Sequence, residues 1–196
     1  MWGWFSGWCP KTTPTPGFTT AIPKDPFSAM WPNQKLVTDI TYIDTVEGWL
    51  DLSVILDLLS RRAVGLVIDK HMETKLVKAA LNMALGQRQF ASGWLHHSDQ
   101  GSQYTSSAYR QLLSDAGSLV SMSGVGNCYD NAVMESFFST HKFECASERF
   151  PTRKQAKLAI FEYIEVWYNR KRLRSSLDYL SPVKFEQAFL DIFCAH

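Results

Sequence analysis

From residue 34 onward the chain is built of short apolar runs that give way to apolar positions spaced three or four apart. Residues 36–43, 50–56 and 63–68 are rich in β-branched and aliphatic side chains, and the polar breaks Glu47-Gly48 and Ser60-Arg61-Arg62 separate them. Apolar runs bounded by turn residues predict three strands, joined as an antiparallel meander. The period then changes. Met72, Leu76, Ala79, Ala80, Met83 and Ala84 recur at helical spacing, and Gly86 stands where a C-cap glycine belongs. A fourth strand is expected at 94–97, a helix over 105–116 and a fifth strand at 118–122. Gly124, Gly126 and Asn127 mark a loop before a helix over 131–145.

Residues 147–196 read as helical. Thr152 and Gln155 form a capping box, and Ala156, Ala159, Ile160, Tyr163, Ile164 and Trp167 lay an apolar stripe. Ser181-Pro182 opens a further helix with proline at its favoured first position. The front of the chain differs. Six of the eight prolines (10, 14, 16, 23, 26 and 32) lie in the first 32 residues, interleaved with Thr12, Thr13, Thr15, Thr19 and Thr20. Such a stretch propagates neither a helix nor a ladder, so an extended, poorly ordered leader is expected. The chain thus divides into a leader (1–32), an α/β core (33–146) and a helical, basic extension (147–196). The order of elements is that of a ribonuclease-H-like fold, a five-stranded mixed sheet flanked by helices.

Composition narrows the class. The 196 residues make one domain with tails, and 45% hydrophobic with 20% charged side chains supports a packed core. Lys and Arg total 20 against 19 acids, a net charge of +1, so any nucleic-acid surface must come from local clustering. No apolar run approaches the roughly 18 residues of a membrane span. The Trp-rich start also lacks a basic n-region, so a cytoplasmic protein with no membrane partner is expected. The four cysteines (9, 128, 145 and 194) form no C-x-x-C pair, which reads as reduced structural thiols rather than a zinc site.

Three carboxylates stand out by position. Asp39 interrupts the first strand on the face of Val37 and Ile43, and a carboxylate inside a central strand is costly unless paired, wet or bound to metal. Asp99 follows the fourth strand, where the backbone turns through Gln100-Gly101, and strand ends are where α/β sheets hold ligands. Glu135 sits in the first turns of a helix. If the fourth strand lies beside the first, Asp39 and Asp99 can share a cation and Glu135 can close the site. Mg²⁺ takes such hard oxygen ligands, and two ions roughly 3.5–4 Å apart support in-line phosphoryl displacement. Asp99 as a turn aspartate and Glu135 as a solvated helix-face acid are the structural alternatives at this point.

The flanking words are more specific. Asp39-Ile40-Thr41-Tyr42-Ile43, His97-Ser98-Asp99-Gln100-Gly101-Ser102-Gln103-Tyr104, and Gly126-Asn127-Cys128-Tyr129-Asp130-Asn131-Ala132 with Glu135-Ser136-Phe137-Phe138 resemble the integrase-type catalytic core of bacterial insertion-sequence transposases. The match is to the second reading frame of the IS-three family. The tail words Trp167-Tyr168-Asn169-Arg170-Lys171-Arg172 and Tyr179-Leu180-Ser181-Pro182 resemble it too, so the likeness runs from about Pro32 to Phe189. It implies a DDE triad of Asp39, Asp99 and Glu135, metal-dependent DNA cleavage and strand transfer, and Mg²⁺ or Mn²⁺, two ions, as cofactor. It also implies DNA as partner, a homo-multimer on that DNA, and a companion helix-turn-helix protein from the upstream reading frame. The alternative is a catalytically decayed DNA-binding or oligomerising remnant that regulates the full-length enzyme.

Residues 137–176 carry nine Lys or Arg against four Glu, an excess able to neutralise a few phosphates. Arg170, Lys171 and Arg172 lie there. Lys142, two helical turns after Glu135, shares its face. Tyr104 and Tyr129 flank the site as candidates to stack on an unpaired base, and Asn127 stands in the loop ahead of Glu135 as a DNA contact. Against the family pattern, Arg174 replaces His, Asp178 replaces Gly, Asp51 replaces an aromatic residue, His141 replaces Leu, and Gly124-Val125 occupies a position that often carries a basic residue. A buried charge or a lost turn glycine costs roughly 1–3 kcal/mol.

Overall fold

The computed structural model describes residues 29–71, 73–122 and 132–194. Three strands, β1 (Lys35–Ile43), β2 (Leu50–Asp57) and β3 (Ala63–Asp69), form the expected antiparallel meander. β4 (Leu95–Ser98) and β5 (Leu119–Met122) extend it on the far side of β1, both parallel to it, in the order β3-β2-β1-β4-β5. Every residue of β2 is buried, as a strand covered on both faces requires.

Helices supply the two covers. On one face, α1 (Thr74–Gln87), the one-turn α2 (Ser102–Thr105) and α3 (Ser107–Asp115) pack Val77, Ala80, Leu81, Tyr104, Tyr109 and Leu113 against Leu36, Ile55 and Val64. Gly65 lets α1 lie this close, because a Cβ there would run into the Ala80 carbonyl. On the other face, α4 (Ala132–Glu144) and α5 (Arg153–Glu162) place Met134, Phe137, Ala156 and Ile160 in one cluster with Val37, Ile43, Leu52 and Val54. The core at 33–146 and the extension at 147–196 therefore share a single apolar cluster.

The extension is also pinned by polar contacts. Asn169 pairs its carboxamide with both backbone groups of Ala63, at 2.9 and 3.0 Å. From α6 (Pro182–Cys194), the buried Glu186 accepts from Arg62 at 2.8 Å, from Arg88 at 2.9 and 3.0 Å, and from the Ser60 hydroxyl at 2.7 Å. Burial alone would raise the Glu186 carboxyl, but the two guanidinium groups hold it below the ordinary carboxylate range.

Three expectations are corrected. α1 does not end at Gly86; it continues to Gln87 and stops at Arg88, whose extended backbone is held by side-chain bonds to Glu186 and Asn33. The helix expected over 105–116 starts instead at Ser107, because Ser106 is extended (ψ 142°) and its hydroxyl caps it by accepting from Tyr109 N–H, and a separate one-turn helix, Ser102–Thr105, precedes it. The stripe from α5 does not reach Trp167. Residues Tyr163–Tyr168 form a π-turn, which inserts one residue per turn, so Tyr168 is buried and Trp167 is 47% exposed. The leader through residue 28 and the loop at 124–127 lie outside the described residues. Among the described residues no helix is long and apolar enough to cross a membrane.

Candidate active site at the ends of β1 and β4

The parallel pairing of β1 with β4 matches Leu36 with His96 and Val37 with His97. Carried two places further along both strands, the same register brings Asp39 level with Asp99. Asp39 is half-buried opposite Val54 of β2. Asp99 is half-buried just past β4, and its Oδ1 accepts the Gly101 N–H at 2.9 Å. A Cβ on Gly101 would stand 2.6 Å from Gln103 Nε2 and 3.0 Å from Asp99 Oδ1, so this turn suits glycine.

Both carboxylates act on one buried hydroxyl. Tyr104 is fully buried, and its OH lies 3.4 Å from Thr38 Oγ1, which itself donates to the Val54 carbonyl. Burial pushes the Tyr104 phenol well above its usual range, and the charges of Asp39 and Asp99 push it the same way. This burial corrects the expectation that Tyr104 stacks on a base: the ring belongs to the core beneath α1 and α3.

Glu135 is exposed in the first turn of α4, one residue after the buried Met134. Met134 packs in the cluster of Val37 and Ile43, so α4 covers the sheet face that Asp39 shares with them. Among the described residues no three His, Cys, Asp or Glu side chains approach closely enough to hold a metal ion together. The structure thus brings the aspartates to neighbouring strand ends and sets Glu135 on the same side, without joining the three. The donor set is all oxygen and anionic, which suits a hard divalent cation.

One neighbour was missed in the sequence. His97 is buried two residues before Asp99, and its Nδ1 lies 3.0 Å from Ser121 Oγ on β5. Period-two alternation from Asp99 is the signal that puts it on the carboxylate face.

The expected basic surface is partly spent on the fold itself. Arg172 grips Glu144 at 2.9 and 3.0 Å, Arg149 pairs with Asp44 at 3.0 Å, and Arg174 lies over the Tyr168 ring at 5.5 Å. Burial would raise Glu144, but hydrogen bonds from Arg172 and Tyr163 lower it. Lys142, Arg170 and Lys171 are exposed. Asn127 and Tyr129 lie outside the described residues.

The unusual residues at family positions have visible consequences. Asp178 is left-handed (φ 51°), the conformation that favours glycine. Asp51 is buried, and burial, with Asp69 nearby, raises its carboxyl against the opposing pull of His71. His141 is fully buried with neither ring nitrogen bonded among the described residues.

The pattern described as the integrase core domain matches residues 30–128, half of the chain, and a second of the same description matches 135–190. The chain belongs to the integrase core domain family. Its relatives include the transposase for insertion sequence element IS904 of Lactococcus lactis subsp. lactis, 47% identical over 82% of this chain. The transposase InsF for insertion sequence IS3A of Escherichia coli is 44% identical over the same share. The chain spans 64% and 56% of the length of these two relatives. Among solved structures, the simian T-cell lymphotropic virus intasome matches 81% of this chain and 55% of its own, with a TM-score of 0.65 at 14% identity. The HTLV-2 integrase catalytic core in complex with magnesium matches 81% of this chain and 99% of its own, with a TM-score of 0.56 at 13% identity. At such identity these two speak for the fold, a ribonuclease-H-like integrase core.

Proposed function

We propose that this chain is the catalytic core of an insertion-sequence transposase, which cuts DNA phosphodiesters at the element's ends and joins the freed 3′-hydroxyl to target DNA. The reading is supported most by the parallel β1–β4 register that, extended, levels Asp39 with Asp99, in a chain 44–47% identical to transposases. Asp39, Asp99 and Glu135 would hold Mg²⁺ or Mn²⁺, in the two-ion form typical of paired carboxylates. The bound metal would polarise the phosphoryl oxygen and make the attacking hydroxyl a better nucleophile.

The chain's own residues do the positioning. Gly101 donates its N–H to Asp99 and holds that carboxylate at the strand end. The buried Thr38 and Tyr104 hydroxyls lie 3.4 Å apart, Thr38 next to Asp39 in β1. Glu135 completes the set from the first turn of α4, with Lys142 two turns further along the same helix for a phosphate. Arg170 and Lys171 offer further cations. The protein acts as a multimer on DNA in the bacterial cytoplasm, on the nucleoid, with a companion helix-turn-helix protein from the upstream reading frame supplying end recognition.

The test is strand transfer of a labelled, pre-cleaved inverted-repeat oligonucleotide into target DNA with Mn²⁺, comparing the chain with its Glu135→Gln variant. Products from the chain and none from an equally folded variant are expected. Equal yields from both would remove Glu135 from the mechanism, and no products even with the companion protein present would overturn the activity.

A further inference from the structure

On the face of the sheet opposite α4, a cleft of about 430 Å³ opens between α1 and α3, lined by Thr74, Lys75, Lys78, Ala79, Asn82 and Ala108. Lys75, Lys78 and Asn82 follow the i, i+3, i+7 spacing of one helix face, turned away from the buried Leu76, Val77, Ala80 and Leu81. Lys78 is half-buried, and neither lysine forms an ion pair among the described residues. The nearest carboxylate in sequence, Glu73, sits just outside the lining. Ala79 and Ala108 are small, so the floor of the cleft admits a chain of some thickness.

The position matters as much as the charge. β1 and β3 are each antiparallel to β2, so both run the same way as β4. α1 starts just after β3, and its N-terminal half therefore lies at the end of the sheet where Asp99 follows β4. α2, which begins three residues after Asp99, places Tyr104 in the same apolar cluster as α1.

We infer that this cleft holds the sugar-phosphate backbone of a DNA strand leading away from the carboxylate pair. Lys75 and Lys78 neutralise neighbouring phosphates, and Asn82 and Thr74 donate hydrogen bonds to the same strand. The seven steps from Lys75 to Asn82 rise roughly 10 Å along the helix, the length of about three nucleotide steps. The inference rests on the proposed action on DNA. It adds a second cationic surface, on the opposite face from Lys142.

Anisotropy titrations of two labelled DNAs against salt test it: a pre-cleaved element end and an unrelated target duplex. The full chain, a Lys75→Ala/Lys78→Ala variant and a Lys184→Ala control on α6 are compared. Alanine is the best helix former, so α1 survives the change, and urea midpoints verify it. Loss of two phosphate contacts lowers the slope of log affinity against log salt by about 1.8, which weakens binding by up to roughly sixtyfold at 0.1 M salt. An effect on the target duplex assigns the cleft to target DNA, and an effect on the pre-cleaved end assigns it to the element. Unchanged slopes on both, or no salt-dependent binding by the unaltered chain, overturn the inference. A chain that binds with the expected slopes but transfers no strand removes the catalytic reading and leaves the cleft standing.

Discussion

Replacing His141 with leucine should stabilise the protein, and more so in acid. His141 is fully exposed to no solvent: its ring stacks on Phe137 at 6.4 Å and meets Tyr163 edge-on at 5.4 Å. Both ring nitrogens lack partners among the described residues, and a buried polar group left unmatched costs about 1–3 kcal/mol. Leucine fills similar space and is the better helix former, so a gain of about 2 kcal/mol is expected at pH 7. Acid adds to this. Burial, helped by the adjacent Lys142, lowers the His141 imidazole from 6.5 to about 4. The unfolded chain therefore takes up the proton first, so stability present above pH 6.5 is lost as pH falls through 6.5 toward 4. Between pH 7 and pH 5 this loss comes to about 2 kcal/mol, which the leucine variant escapes. Buried His96, lowered to about 3, contributes the same trend to both proteins and cancels in the difference. Urea unfolding of both proteins at pH 7 and pH 5 reads the effect, since about 2 kcal/mol moves a midpoint by roughly 1 M. Equal pH dependence in the two proteins, or a variant less stable at both, would refute the reasoning.

Other substitutions follow from the same geometry. Asp178→Gly relieves a left-handed residue and should raise stability by about 0.5 kcal/mol, a melting shift of roughly 1–2 °C by calorimetry. Glu186→Ala leaves Arg88 buried without its acid and should cost about 3 kcal/mol by urea midpoint, whereas Lys184→Ala on the same helix should cost almost nothing. Gly65→Ala drives a methyl into the Ala80 carbonyl and should cost about 2 kcal/mol or more, with soluble yield falling accordingly. Asp39→Asn should abolish strand transfer while DNA affinity by anisotropy holds or rises, because a negative charge near phosphate is gone.

The sheet was legible because its strands carry long runs of aliphatic residues between turn signals; β1, β2 and β3 match expectation to within a residue. The adjacency of the strands that carry Asp39 and Asp99 was legible too, since a parallel pairing of the first strand with the fourth follows from the order of elements. What sequence could not carry were effects decided by distant partners. Gly86 is a good C-cap by local rules, yet α1 ends at Gln87, and the C-cap Arg88 bonds Glu186, nearly a hundred residues on. The π-turn at Tyr163–Tyr168 has no local signature, and it moved the buried aromatic from Trp167 to Tyr168. Tyr104 sat in a word full of polar residues, which masked its membership of the core. The basic tail overstated its free charge because the acids that bind it, Asp44 and Glu144, lie outside the run or across the helix pair.

The clamp around Glu186 has a consequence for synthesis. Its bonds to Ser60, Arg62 and Arg88 span 126, 124 and 98 residues. At about 5–20 residues per second, the ribosome needs roughly 6–25 s to pass from Ser60 to Glu186. For most of that interval Arg62, and Arg88 once it is made, wait without their acid. The clamp is thus among the last contacts the nascent protein can make, and a stall ahead of Glu186 would leave the largely buried Arg88 without its acid.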